Sequence, residues 1–198
     1  MATGPDTAEA AAGTAAPDDD ALMARYQSGD AAAFDLLYDR YRGPVWRFFL
    51  RQLPRPEAEE CHQEVWLKLI GGRARYQPQG GFRAYLFTIA HHVLTDRHRR
   101  TMKHAAADPD ADAADLADGG PDPEAAAAAA DDAARLHRHL AALPIAQREA
   151  LLLKEGAGLS LAEIAGITDT SIEGVKSRLR YAMKKLREAM TAPARTEP

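Results

Sequence analysis

The chain has 198 residues, of which 46% are hydrophobic and 7% aromatic, enough for one sizeable domain or two small ones with modest cores. Its single cysteine, Cys61, excludes an intramolecular disulfide and a thiolate metal cage. No apolar stretch approaches the roughly 20 residues that span a bilayer, so we predict no membrane insertion and a cytoplasmic location.

The net charge of −4 conceals two basic segments. Residues 1–20 carry five acids and residues 105–134 carry nine, and neither segment contains lysine or arginine. The remainder is basic: residues 21–104 hold 14 bases against 8 acids, and residues 135–198 hold 11 against 7. Clustered bases suit a polyanionic partner because they displace counterions from phosphates, although a solvated surface would carry the same pattern.

The predicted elements are helices, because alanine is abundant and no stretch alternates β-branched residues between turn signals. Residues 1–20, low in large apolar side chains, are predicted to be a disordered tail that ends in the helix-capping sequence PDDD. Helical spacing then runs from Phe34 to Phe49, where Gly43 and Pro44 either bend or break the helix. A short amphipathic helix over EAEECHQEVWLKLI and a loop over GGRARYQPQGG follow.

A long helix is predicted over FRAYLFTIAHHVLTDRHRRTMKH, with two chemically different faces. One face is apolar and is expected to be core: Phe82, Tyr85, Leu86, Ile89 and Val93. The opposite face is polar and basic, and is either solvated or placed against an anion: Thr88, His91, Thr95, His98 and Arg99.

The stretch from 105 to 134 is predicted to be a flexible acidic linker, because it holds acids, alanine, glycine and proline with one large aliphatic residue. Beyond it, residues 135–190 are predicted to fold again as helices. Pro144 is expected in the first turn of one of them. Residues 191–198 are predicted to be a disordered tail.

Two helices joined by a tight turn are predicted near the carboxyl end. Ser160 and Glu163 have the capping-box spacing, and after the short turn GITD either Thr170 or Ser171 can cap a second helix. The inner seam of that second helix is predicted to be Ile172, Val175, Leu179, Met183 and Leu186. Its other side combines small and long polar residues. This combination is more typical of a helix that enters the major groove of DNA than of a solvated surface helix.

The sequence VKSRLRYAMKKLRE preceded by LSLAEIA resembles the fourth region of bacterial RNA polymerase sigma factors of the sigma-70 family, extracytoplasmic-function (ECF) subfamily. FDLLYDRYRGPVWRFFLR, EAEECHQEVWLKLI and FRAYLFTIAHHVLTDRHRR are similar, in order and spacing, to the second region. The resemblance covers about three quarters of the chain. It implies an all-α protein with two small helical domains, region 2 over 21–104 and a helix-turn-helix region 4 over 135–190, joined by the linker.

The resemblance also implies which residues bind polymerase and which bind each promoter element. Binding of core polymerase falls on Glu57, Glu59, Glu60, Gln63, Glu64 and Trp66. Recognition and melting of the minus-10 element fall on Arg75, Tyr76, Phe82, Arg83, Thr88, His91, His92, Thr95, Arg97, His98, Arg99 and Arg100. Recognition of minus-35 duplex DNA falls on Ser171, Glu173, Gly174, Lys176, Ser177, Arg178, Arg180 and Tyr181.

The partners that the resemblance implies are the clamp helices of the largest polymerase subunit, the flap of the second-largest subunit, and promoter DNA in duplex and single-stranded form. The free protein is expected to be a monomer, and an anti-sigma factor, a kinase or expression level remains open as its regulator. The chain departs from the family at His92, where asparagine is usual, at Asp169, where glycine is common, and at Cys61, where a larger aliphatic is usual.

Two other functions compete with this one. A regulator that binds operators through the helix-turn-helix would need no polymerase. A metal-dependent hydrolase could use the histidines at 91, 92, 98 and 104, but they lack the i, i+4 pair with an adjacent acid of helical zinc sites. Without a phosphate loop, a nucleophile elbow or spaced catalytic carboxylates, we predict a non-enzyme with no metal and no cofactor.

Overall fold

The computed structural model describes residues 17–78, 81–107 and 135–191, in which helices are joined by turns and short connections and no strand occurs. The predicted all-α fold is confirmed, and the helices form two bundles. Of the predicted tail over 1–20, linker over 105–134 and tail over 191–198, residues 1–16, 108–134 and 192–198 lie outside the described residues. The described remainder departs from the prediction, because helices include Asp19, Asp20, residues 105–107 and Thr191.

The amino-terminal bundle consists of four helices: α1 (Asp19–Gln27), α2 (Ala31–Leu50), α3 (Arg55–Gly72) and α4 (Phe82–Ala107). Gly29, at a φ of 101°, turns the chain between α1 and α2, and the Asp30 carboxylate then accepts a hydrogen bond from the backbone N–H of Ala33. The helix α2 is continuous through Pro44, which answers the question that the sequence left open.

Aromatic rings hold the amino-terminal bundle together. Phe34 of α2 lies 5.0 Å from the ring of Tyr26 and 6.2 Å from that of Trp66, which joins α1, α2 and α3. On the other side of α2, Phe48 packs 5.7 Å from Phe87 of α4. Each fully buried side chain of this size stabilises the folded state by about 1.5–3 kcal/mol, so these contacts fix where α3 and α4 lie.

The carboxyl-terminal bundle consists of α5 (135–141), α6 (Ile145–Leu151), α7 (Leu161–Ile167) and α8 (Ile172–Thr191). A single π-helical turn, Leu152–Gly156, extends α6. Pro144 stands one residue before α6 rather than in its first turn. The chain then reverses at Gly158, whose φ of 69° favours glycine, before α7 begins.

The inner seam of α8 differs from the prediction at two positions. Val175, Ala182 and Leu186 are buried and Leu179 is partly buried, whereas Ile172 and Met183 are exposed. A step of 3.6 residues from Val175 leads to Leu179, Ala182 and Leu186, and Met183 falls about 100° away from that line. The small side chain of Ala182 therefore takes the seam position expected for Met183.

The two bundles are in contact. The π-helical turn lies against α2, α7 lies against α4, and the buried apolar residues of both bundles form one continuous cluster. Within the described ranges no helix is both long and apolar enough to cross a membrane. The contact matters for function because α4 carries most of the residues predicted to meet minus-10 DNA.

Candidate nucleic-acid interface

A cleft of about 480 Å³ opens between the end of α3, the 3-10 turn Arg73–Arg75 and the middle of α4. Two residues predicted to contact minus-10 DNA, Arg75 and His92, line it together. Its polar lining is completed by Lys68, which no sequence motif singled out, and by Tyr85, which helical periodicity predicted to be core and which is half-buried. The volume of the cleft is in the range of small-molecule sites. Its polar lining consists of two cations, a phenol and an imidazole.

Gly72 gives this cleft its shape. A Cβ atom at Gly72 would lie 3.2 Å from the hydroxyl oxygen of Tyr85, so the missing side chain lets that ring lie against the end of α3. The neighbouring Gly71 also lines the cleft, but a Cβ there would meet nothing within 4 Å. Only the first of these glycines is required by packing.

Tyr76 and Phe82, predicted to stack on unpaired bases, lie in the core. Their exposed fractions are 5% and 1%, and their ring centroids are 6.2 Å apart. Tyr76 also lies 4.9 Å from the ring of Tyr85, and Phe82 lies 5.4 Å from that of Tyr41. In this conformation neither ring offers a face to a base, and both instead fix the path of the loop that leads into α4.

Hydrogen bonds from helix α1 also hold that loop in place. The Asp20 carboxylate accepts hydrogen bonds from the hydroxyl of Tyr76 and, at 2.7 Å, from the backbone N–H of Phe82. Gln27 donates to the carbonyl oxygens of Arg73 and Tyr76 at 2.8 and 3.0 Å. Burial, followed by the nearby Asp20 carboxylate, raises the pKa of Tyr76, so its hydroxyl stays protonated and continues to donate.

Sequence reasoning missed these positioning residues. The sequence predicts Asp20 in the amino-terminal tail and in the cap of the first helix, yet its carboxylate accepts from the backbone N–H at the start of a helix 62 positions later. Contacts across such separations leave no local pattern in one sequence, so no periodicity or motif could have found Asp20 or Gln27.

The polar face of α4 is only partly free. Arg83, His92, Arg99 and Arg100 are exposed, and Thr88 and Thr95 are half-buried. The Thr88 hydroxyl donates to the carbonyl oxygen of Ala84 at 2.8 Å. Three residues predicted to contact DNA are engaged within the protein: His91, Arg97 and His98. Of the exposed cations, Arg83 donates to the Tyr41 hydroxyl and Arg99 pairs with Asp96, both at 3.3 Å. Arg83 lies at one end of the predicted face, and Arg99 and Arg100 lie at the other.

Arg97 crosses to α3. Its guanidinium forms ion pairs with Glu60 and, at 3.8 Å, with Glu57. The same side chain stands beside the thiol of Cys61, which is 1% exposed, and burial is the main reason why the pKa of that thiol is raised. Arg97 thus ties α4 to α3 and neutralises part of the surface that was predicted to bind polymerase.

The predicted polymerase surface on α3 remains acidic and accessible, including at Glu60, whose side chain is exposed despite its pair with Arg97. Glu59, Glu60 and Gln63 are exposed. The Glu59 carboxylate pairs with Arg55 at 3.1 Å and that of Glu64 with Lys68 at 3.1 Å, contacts typical of neighbouring residues on a solvated helix.

Trp66, also predicted to bind polymerase, is a core residue instead. It is 6% exposed, its ring lies 4.8 Å from that of Tyr38, and its indole N–H donates to the imidazole of His62 at 3.2 Å. Its structural role is to seat α3 on α2 so that the acidic side faces outward.

The helix-turn-helix has the expected local chemistry. The Ser160 hydroxyl accepts from the Glu163 backbone N–H at 3.2 Å, while the Glu163 carboxylate accepts from the Ser160 backbone N–H at 2.7 Å. Asp169 occupies the turn at a φ of 45°, as its tolerance of the left-handed region predicts. Of the two candidate caps, Ser171 is the one whose hydroxyl accepts from the Gly174 backbone N–H, at 3.0 Å.

The residues predicted to read minus-35 DNA lie on the outer side of α8. Ser171, Glu173, Lys176, Arg180 and Tyr181 are exposed, whereas Gly174, Ser177 and Arg178 are half-buried.

Some of these side chains are already oriented by contacts within the helix-turn-helix. Lys176 pairs with Glu173 at 2.7 Å, the Arg178 guanidinium donates to the Thr168 hydroxyl at 3.3 Å, and the Arg180 guanidinium lies 5.3 Å from the centre of the Tyr181 ring. The carboxyl-terminal bundle thus presents a set of long polar side chains on one exposed helix.

Metal binding has no structural support in the described ranges, where no three histidine, cysteine or acidic side chains are grouped so as to hold an ion. The histidines of α4 point to different surroundings. His91 faces Glu149, His92 lines the cleft, and His98 is half-buried beside Arg148.

Comparison with known proteins gives matches over both bundles. The family model for sigma-70 region 2 matches residues 37–104, and that for sigma-70 region 4 matches residues 133–186. The ECF RNA polymerase sigma factor SigK of Mycobacterium tuberculosis (strain ATCC 25618 / H37Rv) is 30% identical over 182 residues, covering 87% of this chain and 94% of the relative. The ECF RNA polymerase sigma factor SigC of Mycobacterium tuberculosis (strain CDC 1551 / Oshkosh) is also 30% identical over 182 residues, covering 90% and 94%.

Two solved structures have a similar fold. CnrH, in complex with the cytosolic domain of CnrY, superposes with a TM-score of 0.67 at 22% identity, covering 89% of this chain and 99% of CnrH. The sigma factor RpoE from Bartonella quintana, in complex with the anti-sigma factor NepR, superposes with a TM-score of 0.71 at 20% identity, covering 80% and 97%.

Proposed function

Since the chain belongs to the extracytoplasmic-function sigma factors of the sigma-70 family, which bind core RNA polymerase and promoter DNA, we propose how its residues divide that work. The amino-terminal bundle docks on the clamp helices of polymerase through α3 and captures the melted minus-10 strand beside α4. The helix-turn-helix of the carboxyl-terminal bundle binds minus-35 duplex DNA.

The observation that carries this proposal is the composition of the cleft beside Gly72. Single-stranded DNA is held by cations that follow the phosphates and by flat groups that meet the bases, and an extruded base needs a pocket of its own. Lys68 and Arg75 supply the charge, and Tyr85 and His92 supply ring systems with polar edges. We assign base capture to these four side chains, with Asp20 and Gln27 holding the loop that forms one wall.

The outer side of α3 is assigned to polymerase. Glu59, Glu60 and Gln63 are exposed there, and carboxylates on a rigid helix suit a basic partner surface. The proposed minus-35 contacts lie on α8, where Arg178 can meet a guanine edge and Lys176 a phosphate.

The protein's activity is binding rather than catalysis on this assignment, and a protein that works on polymerase and the chromosome acts in the cytoplasm. An anti-sigma protein is proposed as a further partner, because both proteins of similar fold were solved with a bound protein: CnrH with the cytosolic domain of CnrY, and RpoE with the anti-sigma factor NepR.

The proposed function is tested by transcription in vitro from a library of promoter fragments, with core polymerase alone or with this protein. We expect specific transcripts only when the protein is added, and their start sites will define the minus-10 and minus-35 sequences. If no transcript depends on the protein and it does not bind core polymerase, the polymerase role is wrong and an operator-binding regulator replaces it.

The polymerase surface is tested separately by reversing charge at two exposed carboxylates, Glu59→Lys with Glu60→Lys. We expect at least about tenfold weaker binding to core polymerase, equivalent to ~1.4 kcal/mol. The matched control is Glu188→Lys on α8, an equally exposed carboxylate outside the proposed surfaces. Unchanged affinity of the double variant would remove α3 from the interface.

A further inference from the structure

The Arg178 side chain of α8 is held by a residue at the end of the preceding helix. Its guanidinium Nη1 donates to the Thr168 hydroxyl at 3.3 Å across the turn between α7 and α8, and Arg178 is half-buried. Among the residues that the structure describes, no carboxylate forms an ion pair with Arg178, whereas Arg40 and Arg97 each have an acidic partner. The group that orients Arg178 is therefore a neutral hydroxyl.

Thr168 is itself fixed at the end of α7. Its hydroxyl donates to the carbonyl oxygen of Ile164 at 2.9 Å, and its backbone N–H donates to the same oxygen at 3.0 Å. Ile164 is fully buried, and Asp169, the residue after Thr168, turns the chain at a φ of 45°. Because the hydroxyl hydrogen is used in the bond to Ile164, the Thr168 oxygen can act toward Arg178 only as an acceptor.

The turn also fixes where α8 begins relative to α7. The backbone N–H of Thr170 donates to the carbonyl oxygen of Ala165 at 3.0 Å. A Cβ atom at Gly174 would lie 2.7 Å from the Thr170 hydroxyl oxygen, so the missing side chain lets Thr170 lie against the first turn of α8. The fold itself thus sets the distance between Thr168 and Arg178.

The contact with Thr168 leaves one edge of the guanidinium complete. A guanidinium has five N–H donors in one plane. Thr168 accepts from Nη1, so the edge formed by Nε and Nη2 keeps its donors. In the major groove guanine presents two acceptors, O6 and N7, and one edge of a guanidinium can bind both. Thr168 therefore occupies the nitrogen that this contact does not need.

A neutral partner suits this position for two physical reasons. A carboxylate in the place of Thr168 would compete with the base for the guanidinium and would offset its charge. A hydroxyl leaves the charge intact, and it restricts in advance a long side chain that would otherwise lose its rotamer freedom on binding DNA. Thr168 can in this way strengthen binding without touching DNA.

We propose that Thr168 is a positioning residue for recognition of the minus-35 element, and that it holds Arg178 so that the Nε and Nη2 edge reads a guanine. The proposal rests on the proposed function, in which α8 contacts minus-35 duplex DNA. Loss of the Thr168 hydroxyl should weaken the preference at one base pair and leave the other positions unchanged. Loss of a residue that only supports the fold should instead weaken binding to every sequence.

The test selects bound sequences from a library of DNA duplexes with randomised positions, using the full chain both free and bound to core polymerase. Thr168→Val removes the hydroxyl and keeps the branched shape, whereas Thr168→Ser keeps the hydroxyl. Thr191→Val is the matched control, because the Thr191 hydroxyl also donates to the carbonyl oxygen four residues earlier, that of Arg187, at 2.8 Å. Arg178→Ala identifies the base pair that Arg178 reads.

We expect the wild type to select a G·C pair at one position and Arg178→Ala to lose that preference. Thr168→Val should reduce the preference at the same position about fivefold. Thr168→Ser and Thr191→Val should both select as the wild type does. An unchanged preference in Thr168→Val would overturn the proposal, and so would an Arg178→Ala variant that selects the same sequence as the wild type.

A double variant distinguishes positioning from a general loss of stability. In the Arg178→Ala background, Thr168→Val should change neither the preference nor the affinity, because no guanidinium remains to be held. If Thr168→Val weakens binding equally in both backgrounds, Thr168 acts on the turn rather than through Arg178, and the proposal is wrong. Thr168→Ala, checked for helical content by circular dichroism, gives the same comparison if valine does not fit the turn.

Transcription with core polymerase separates this proposal from the proposed function. If the preference depends on Thr168 and Arg178 but no promoter-specific transcription depends on the protein, the positioning role stands and the sigma role assigned to this surface falls. If transcription depends on the protein and on Arg178 while Thr168→Val behaves as the wild type, only the positioning role is wrong.

Discussion

The Asp20 carboxylate lies 2.7 Å from the backbone nitrogen of Phe82 and so joins the start of α1 to the start of α4. The first turn of a helix leaves backbone N–H groups without partners inside the helix. The Asp20 carboxylate, 62 positions away in the chain, accepts the hydrogen bond from one of them. Because the same carboxylate also accepts from Tyr76, one residue holds both ends of the segment that walls the proposed base-capture cleft.

Replacing Asp20 by alanine should therefore leave a buried hydroxyl and a backbone N–H unpaired. We expect the free energy of unfolding to fall by about 1–3 kcal/mol, measured by urea denaturation. Transcription from an intact duplex promoter should fall more than binding of core polymerase does, because the loop beside the cleft is no longer held.

The matched control is Asp18→Ala, since Asp18 stands before α1 but its side chain makes no capping hydrogen bond. If the free energy of unfolding fell equally in the two variants, the hydrogen bonds of Asp20 would add no stability beyond that of a negative charge near the start of α1. Adding Tyr76→Phe to Asp20→Ala should recover part of the stability, because it removes the unpaired hydroxyl.

The role of Gly72 can be tested by adding one methyl group. In Gly72→Ala the new Cβ would meet the Tyr85 hydroxyl at 3.2 Å, so the ring must move and the cleft must change shape. We expect affinity for the melted minus-10 strand to fall about fivefold, equivalent to ~1 kcal/mol, measured by fluorescence anisotropy with the polymerase-bound protein.

Two further variants make the result specific to that contact. Gly71→Ala adds the same methyl group where nothing lies within 4 Å, and should bind the strand normally. Combining Gly72→Ala with Tyr85→Phe removes the crowded hydroxyl, so the double variant should bind the strand as well as Tyr85→Phe alone does. A loss in Gly71→Ala of the same size would show that the effect comes from the end of α3 rather than from the Tyr85 ring.

Local chemistry in this chain could be predicted from the sequence. The capping box of Ser160 and Glu163 and the left-handed turn at Asp169 depend on residues within four positions of one another, and both are present as expected. The apolar stripe of α4 likewise follows from helical periodicity, with Phe82, Leu86 and Val93 buried.

Long-range packing could not be predicted in the same way. The resemblance to the family predicts that Trp66 contacts polymerase. Its indole instead packs against the rings of Tyr38 and Phe34 and lies in the core. Periodicity placed His91 and His98 on an outer face of α4, which is correct for an isolated bundle. The second bundle then covers that face, and nothing in a single sequence reports which surface it covers.

Recognition by α8 should depend on Arg178 in a base-specific way. Its guanidinium already donates to the Thr168 hydroxyl at 3.3 Å, which fixes it at the amino-terminal half of the helix. Arg178→Ala should cost about 1–3 kcal/mol of minus-35 binding and relax the preference at one base pair. Arg178→Lys should behave nearly as poorly, because lysine keeps the charge but lacks the planar fork.

Lys184→Ala provides the comparison, since it removes a cation from the exposed carboxyl-terminal half of the same helix. It should weaken binding to all sequences equally and only slightly. Binding measured against a set of single-base-pair substitutions distinguishes the two cases, and an unchanged preference in Arg178→Ala would make that residue a phosphate contact.

Stability should fall in mild acid because two half-buried histidines have lowered pKa values. Burial is the main reason why the pKa values of His62 and His98 are lowered from 6.5, and Arg148 lowers that of His98 further against the opposing carboxylates of Glu149 and Glu57. A lowered pKa in the folded state means that the unfolded chain binds protons first as the pH drops. The free energy of unfolding is therefore fully retained above about pH 6.5 and declines below it, by at most about 1.4 kcal/mol per pH unit for each histidine.

Urea denaturation at pH 7.5, 6.5 and 5.5 measures this slope. Substituting His98→Gln should reduce the slope between pH 6.5 and 5.5, because glutamine does not titrate. If the slope were the same in His98→Gln and in the wild type, the acid sensitivity would lie outside the junction between the bundles. A reduced slope would identify that junction as the element whose stability is linked to pH, since His98 is held there only while the bundles are packed together.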